Sequence, residues 1–239
     1  MNRALIFAGG KGVRMKTEDN TPKQFLKIKD KYIIIHTLEK FEKCKDVDDI
    51  VIVCLQGWID ELENSIKEHN ITKVSKVIPG GLTGFDSRLN GLQYLSNSKT
   101  FEKDIVLIHD GVRPFIPTSL ISENINCAQK YGNAITVAPL NETLIYTATN
   151  PDSIIQRSNC FLARAPQTFV AKDIYNLYKQ ALADNRTDLI DSATIAYHYK
   201  QNLNYVVGPE ENIKITTPLD FYIAKSIIES SNNALNDLK

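Results

Sequence analysis

Long apolar runs are missing from this chain. Nothing in it approaches the roughly 18 consecutive hydrophobic residues of a membrane-spanning helix. The opening MNRALIFAGG turns into glycine too soon for a secretory signal, and reads instead as a buried first strand. Cysteine is scarce. Cys44, Cys54, Cys127 and Cys160 are widely and irregularly spaced with no C-x-x-C, so neither a disulfide framework nor a zinc site is expected. All four are expected to act as small buried hydrophobes in a reducing cytoplasm. The four histidines (His36, His69, His109, His198) are equally scattered, and neither H-E-x-x-H nor a G-x-S-x-G elbow occurs. An excess of either charge is absent too: 28 Lys and Arg balance 28 Asp and Glu. Zero net charge argues against a general nucleic-acid binder or a polybasic membrane-surface protein, while leaving room for a local basic pocket. Internal repeats and low-complexity linkers are lacking, so one domain over residues 1–239 is expected, large enough to need no covalent or metal staple.

What is present is alternation. Ala4–Phe7, Asp49–Leu55, Lys76–Ile78, Ile105–Ile108 and Ala134–Ala138 are short apolar runs, each ending near Gly, Pro or Asp. Runs apolar on both faces are the signature of strands in a doubly covered parallel sheet. Between them lie stripes at helical spacing: Trp58–Ile59–Leu62–Ile66, then Ile121–Ile125–Ala128 stopping at Gly132, then Leu219–Ile223–Ile227. Thr217 is placed to cap the last of these, with Pro218 at its first position. The pattern is that of an α/β fold with right-handed crossovers. Residues 140–165 break the rhythm around an Asn150–Pro151–Asp152 turn and read as an excursion from the main sheet. Residues 230–239 are polar and expected to fray.

In open α/β sheets, ligands sit beyond the carboxyl ends of strands, where the chain order reverses. Five handovers there carry chemistry. The first is FAGGKGVRM (Phe7–Met15), followed by PKQFL (Pro22–Leu26). Glycines let backbone N–H groups approach a polyanion, and Lys11, Arg14 and Lys23 add three cations within thirteen residues. An ordinary glycine turn with solvated lysines is the alternative. No G-K-[ST] closes a Walker A loop, and Met15 stands where the third glycine of G-x-G-x-x-G belongs. The second handover, PGGLTGFDS (Pro79–Ser87), suits the cradling of a flat base, or is a plain strand-to-helix turn capped by Asp86 or Ser87. The third, VLIHDGVRPF (Val106–Phe115), leaves Asp110 at the end of a buried strand, where it calls for Arg113 or a divalent metal. Fourth comes Arg157, ahead of ARAPQTF (Ala163–Phe169). Fifth, ENIKITTPLDF (Glu211–Phe221) sets Lys214 in the run Ile213–Ile215. In a buried strand that lysine needs an anion or a cleft; on a solvent face it needs neither.

In this order and spacing, FAGGKGVRM, PKQFL, the Gly-Gly…Asp-Ser turn, HDGVRPF, APQTF and NIKITTPLDF resemble the cytidylyltransferases that activate polyol phosphates. Methylerythritol-phosphate and ribitol-5-phosphate enzymes make up that family. The resemblance runs from Ala4 to about Ile228. It implies a Rossmann-like nucleotidyltransferase fold, a mostly parallel twisted sheet with helices on both faces and a protruding β-arm. It further implies CTP as co-substrate, a divalent cation (usually magnesium), and a homodimer in which residues 140–165 embrace the partner and help build its site. By position, Arg14 and Lys23 match the basic pair that stabilises charge on the triphosphate. Arg157 and Lys214 match the residues that position the acceptor phosphate. Ala8, Gly9, Gly10 and Lys11 match the nucleotide loop, and Gly80, Gly81 and Ser87 the cytosine-recognition turn. Asp110, with Gly111 beside it, matches the acidic residue near ribose and metal. Thr143 matches a substrate-side threonine on the arm.

The chain departs from the pattern in two places. Gly84 stands where the second turn usually has arginine, and the nearest arginine is Arg88. On the arm, Glu142–Thr143–Leu144–Ile145–Tyr146 lacks the basic residue usual in methylerythritol enzymes. With the Val and Phe of HDGVRPF, this leans toward ribitol 5-phosphate as acceptor, methylerythritol 4-phosphate being the alternative. The implied chemistry joins CTP to the acceptor phosphate and releases pyrophosphate. A phosphate monoester is largely ionised at neutral pH, so the nucleophile needs no general base, only cations that bring two anions together. A dinucleotide oxidoreductase is disfavoured by Met15. A non-catalytic nucleotide or sugar-phosphate module would keep the glycines without needing Arg14, Lys23, Asp110 and Lys214 together.

Overall fold

Valine, isoleucine and leucine fill the five apolar runs, and each run becomes a strand. The computed structural model of the chain describes residues 1–10, 15, 20–147 and 153–230. Strand β1 (Asn2–Ala8) is followed by the short pair β2 (Lys27–Ile28) and β3 (Lys31–Tyr32), then by α1 (Ile33–Lys43), β4 (Asp49–Cys54), α2 (Ile59–Glu68) and β5 (Val74–Pro79). Next come α3 (Gly84–Leu95), β6 (Ile105–Asp110), α4 (Thr118–Tyr131) and β7 (Asn133–Pro139). The arm strands β8 (Leu144–Tyr146) and β9 (Ser153–Ile155) precede β10 (Phe161–Val170), α5 (Ala171–Ala183), α6 (Ser192–His198), β11 (Tyr205–Val207) and α7 (Pro218–Ser230).

Seven strands form the main sheet in the order β11-β7-β10-β6-β1-β4-β5, all parallel except β10, which runs antiparallel to both neighbours. Alternate residues of each strand feed opposite layers. Ala4, Ile6, Ile50 and Ile52 pack beneath α1, α2 and α4, whereas Leu5, Val51 and Val53 pack beneath α3, α5 and α6. Both faces are therefore covered, which is why the strands read as unbroken apolar runs. Connections leave β1 toward β4 and β5, then return to β6 on the other side of β1. The β1–β6 boundary is thus the switch point, and its register sets Phe7 opposite Asp110.

Several expectations are corrected. The excursion ends earlier than residue 165: Phe161 already pairs with Pro139 and Leu162 with Ala138, so β10 belongs to the main sheet, and of the excursion's described residues only β8 and β9 form a separate ribbon. Helix α4 does end at Gly132, in the left-handed region at φ 88°. In α7, Asp220 N–H donates to Thr217 Oγ1 while its carboxylate accepts from Thr216 and Thr217 N–H, the cap anticipated. The packed stripe of that helix, however, is Phe221–Ala224–Ile228. Leu219 and Ile223 are exposed, because α7 carries apolar residues on two faces and only one meets the core. The Ile213–Ile215 run is not a strand; Ile215 is buried and its N–H donates to the Val112 carbonyl. Cys44 and Cys54 are buried as expected, but Cys127 and Cys160 only half so. Beyond Ser230 the tail expected to fray lies outside the described residues.

Candidate active site

The chain leaves β1 through Ala8, Gly9 and Gly10, and one buried side chain shapes this exit. Gln24 Nε2 donates to the carbonyls of Ala8 (2.6 Å) and Gly10 (3.1 Å). It sits in a single 3-10 turn, Lys23–Phe25. Phe25 anchors that turn by stacking on Trp58 at 4.4 Å and meeting the edge of Tyr32 at 5.6 Å. Lys23 is thereby held on a fixed support, nearly buried, with its side chain lining the cavity beyond the strand ends.

The turn after β5 is locked from inside. Ser87 Oγ accepts from Gly81 N–H (3.0 Å) and donates to the Thr83 carbonyl (2.9 Å). The cap of α3 is Thr83, not Asp86 or Ser87: its hydroxyl accepts from Asp86 N–H, and the Asp86 carboxylate accepts from Thr83 N–H. A Cβ at Gly81 would stand 2.3 Å from the Asp86 Cβ, so only glycine closes this turn. Gly80 donates its N–H to the Cys54 carbonyl.

Asp110 ends β6 under two cations. Lys214 Nζ lies 2.7 Å from Oδ1, and Arg113 Nε lies 2.8 Å from Oδ2. Arg113 also donates to the Asn212 carbonyl (2.9 Å), and Asn212 Nδ2 donates to the Ala165 carbonyl (2.9 Å). The network fastens the segment carrying Lys214 to the rim of the sheet. Burial pushes the Asp110 carboxyl upward, but Lys214 and Arg113 more than reverse this and hold it well below the usual carboxylate range. Both cations favour its ionised form. Beside it, Gly111 N–H donates to the Phe7 carbonyl at 2.9 Å. A Cβ there would meet the same oxygen at 2.9 Å, so the close approach of β6 to β1 requires glycine.

Two cavities open at this rim. The first, about 470 Å³, is lined by Ala8, Gly9, Gly10, Lys23, Gly81 and Ser87 among others. The second, about 320 Å³, includes Arg113, Arg164, Gln167 and Asp191. Phe7, Arg88, Asp110 and Lys214 line both. Of the residues singled out in the sequence, Ala8, Gly9, Gly10, Lys23, Gly81, Ser87, Asp110 and Lys214 come together here. Gly80 and Gly111 stand behind them and line neither cavity. Thr143 and Arg157 are exposed on the arm, where Arg157 Nη1 donates to the Asn141 carbonyl, and in their own chain they line neither cavity. Lys11 and Arg14 lie outside the described residues. Sequence reasoning missed Gln24 and Arg164. Gln24 was legible only as part of PKQFL. Arg164 was hidden in ARAPQTF, and its Nη1 donates to the carbonyls of Pro209 (3.1 Å) and Glu210 (2.7 Å).

The fit to a divalent cation is limited but definite. Among the described residues no cluster of three or more His, Cys, Asp or Glu could cage a metal. Among the described residues Asp110 is the one carboxylate lining the first cavity. That suits a hard cation carried chiefly by phosphate oxygens with one protein oxygen, not a resident metal centre.

Two cavities share a wall, and the first is furnished with glycine backbone and lysine, which suits a polyanion with a second substrate beside it. This is the arrangement of a nucleotidyltransferase. The chain belongs to the family described as IspD, 2-C-methyl-D-erythritol 4-phosphate cytidylyltransferase, whose sequence model matches residues 3–230. It is 45% identical to the ribitol-5-phosphate cytidylyltransferase of Vibrio parahaemolyticus over 236 residues, 98% of each chain. To the 2-C-methyl-D-erythritol 4-phosphate cytidylyltransferase of Clostridium botulinum it is 34% identical, over 95% of this chain and 97% of that one. The crystal structure of 4-diphosphocytidyl-2C-methyl-D-erythritol synthase from Anaerococcus prevotii matches with a TM-score of 0.82 at 25% identity, covering 96% of both chains. The expected fold and family are both borne out.

Proposed function

We propose that this enzyme transfers CMP from CTP to D-ribitol 5-phosphate, giving CDP-ribitol and pyrophosphate. The observation that carries the reading is convergence: Lys23 and Lys214, from distant segments, line one cavity with the Ala8–Gly10 backbone at the switch point. The acceptor is chosen by similarity, since identity to the relative named for ribitol 5-phosphate is 45% against 34% for the one named for methylerythritol phosphate.

In this reading the acceptor phosphate oxygen, already anionic, attacks the α-phosphorus in line, and the bond to the pyrophosphate oxygen breaks. Lys23 and Arg14 neutralise charge developing on the α-phosphate. Backbone N–H groups of Ala8, Gly9, Gly10 and Lys11 hold the β- and γ-phosphates. Gly80, Gly81 and Ser87 keep the turn that receives cytosine, and Asp110, set in place by Gly111 behind it, faces the ribose. Asp110 is the residue that would hold a magnesium ion together with the phosphates, which would neutralise the departing pyrophosphate. Lys214, with Thr143 and Arg157 of the partner subunit, positions the acceptor phosphate. The arm supports a homodimer: an isolated two-stranded ribbon is marginal alone, and Ile145, Tyr146 and Ile154 on it are exposed apolar side chains that ask for cover. A cytoplasmic setting agrees with the free thiols. The product would serve a surface polymer such as a cell wall or capsule.

A pyrophosphate-release screen with CTP decides the matter. Ribitol 5-phosphate is expected to exceed methylerythritol 4-phosphate and other pentitol phosphates in kcat/KM by at least tenfold. Preference for methylerythritol 4-phosphate would overturn the acceptor, and the chain would then supply isoprenoid biosynthesis. Release with none of these acceptors would overturn transfer and leave a non-catalytic binding module.

A further inference from the structure

Three of the four arginine and lysine side chains in the second cavity are engaged with protein carboxylates or backbone carbonyls. Lys214 and Arg113 share Asp110, and Arg164 is held by two carbonyls. The remaining carboxylate there, Asp191, accepts from Thr194 N–H (2.8 Å), Thr194 Oγ1 (2.7 Å) and Gln167 Nε2 (2.9 Å). Arg88 is different. It is half-buried, it meets the neutral Tyr178 hydroxyl, and among the described residues it makes no ion pair. Its guanidinium lies over the face of Phe7, 5.7 Å from the ring centre. A half-buried guanidinium with aromatic support and no carboxylate is prepared for an anion that the protein itself does not supply.

Its location defines that anion. Arg88 and Phe7 stand in the wall common to both cavities, beside Lys214 and Asp110. Helical side chains lean toward the N-terminus, so Arg88 reaches back one turn over position 84. There the chain has glycine, and a Cβ built on Gly84 would touch Arg88 Nη1 at 3.4 Å. The arginine missing from position 84 is thus replaced by one projecting from the next turn of the same face, across the space its absence leaves.

We propose that Arg88 is a substrate-binding residue for the phosphate at the junction of the two cavities. That phosphate is either the nucleotide's α-phosphate or the acceptor's monoester. The proposal rests on the transferase reading for the identity of those phosphates, and the test separates the two. Arg88→Gln and Arg88→Lys are compared with wild type by pyrophosphate release, by calorimetric titration of CTP alone and ribitol 5-phosphate alone, and by melting temperature. Arg88→Gln is expected to lose at least tenfold in kcat/KM with an unchanged melting temperature, while Arg88→Lys keeps more than half of the lost factor on a logarithmic scale. Weakened CTP binding assigns the α-phosphate; an increased acceptor KM with intact CTP binding assigns the monoester. A loss below tenfold in Arg88→Gln, or equal losses in both variants, overturns the proposal. Should wild type release no pyrophosphate, the transferase reading has failed, and Arg88 is judged on the titrations alone, where at least tenfold weaker binding of either ligand by Arg88→Gln supports it and less overturns it.

Discussion

Replacing Lys214 with methionine separates a structural salt bridge from a catalytic cation. Lys214 Nζ and Asp110 Oδ1 are 2.7 Å apart, with side chains 38% and 20% exposed. Two unit charges about 4 Å apart attract by roughly 4 kcal/mol at an effective dielectric near 20. Solvent at the exposed lysine screens this, and Asp110 keeps Arg113 when Lys214 is gone, so the net loss of stability is about 1 kcal/mol. For a chain of this size that lowers the melting temperature by about 2–4 °C. The transition state would lose more. If Lys214 touches the acceptor phosphate as it approaches CTP, its removal costs about 2–4 kcal/mol, or roughly 10²–10³ in rate. Continuous pyrophosphate release gives kcat and KM, and differential scanning fluorimetry gives the melting point. The expected pattern is a small thermal shift beside a hundredfold or greater fall in kcat/KM. A variant that melts a few degrees lower yet works within threefold of wild type would reduce Lys214 to a counter-ion for Asp110 and refute the reasoning.

Gly81→Ala forces a Cβ to within 2.3 Å of the Asp86 Cβ and so must open the turn that Ser87 locks; CTP titration should show at least tenfold weaker binding, with a loss of about 1–3 kcal/mol in urea unfolding. His109 is buried beside Phe41 with Nδ1 unpartnered among the described residues, and burial pushes its pKa down to about 3. The unfolded chain takes up this proton near pH 6.5 and the folded one does not, so stability is lost as pH falls from about 6.5 toward 3, by up to about 1.4 kcal/mol per pH unit; His109→Gln should flatten that limb in urea melts, and an unchanged slope would count against it. If Arg157 acts across the dimer, mixing inactive Lys23→Ala and Arg157→Ala chains should restore activity through the one intact site of each mixed dimer; no recovery after demonstrated subunit exchange would place Arg157 outside the site.

How far the sequence could be read depended on where each residue's partners lie. The five apolar runs were legible because parallel strands covered on both faces need apolar side chains at every position, and the glycines and Asp110 were legible because strand ends at a switch point are where chemistry collects. Strand β10 was not. Its buried Gln167 and Thr168 look like loop residues until their partners appear: Gln167 joins Asp191 to Ala193 N–H, and Thr168 Oγ1 faces Asn124. Polar residues belong in a core once every hydrogen bond is met, and those bonds come from helices far along the chain. The α7 stripe failed for a related reason, since periodicity finds an apolar face without saying which of two faces meets the core. Lys214 shows the limit most clearly. Its neighbours Ile213 and Ile215 resembled a strand, yet the lysine is placed by Arg113, Asn212 and Asp110, three residues whose meeting no local pattern encodes. The same holds for Arg88, which the sequence offers only as the arginine nearest Gly84 until two cavities are seen to share its wall. Motif spacing thus locates the loops that line a cavity, while the side chains shared between two cavities emerge only from tertiary closure.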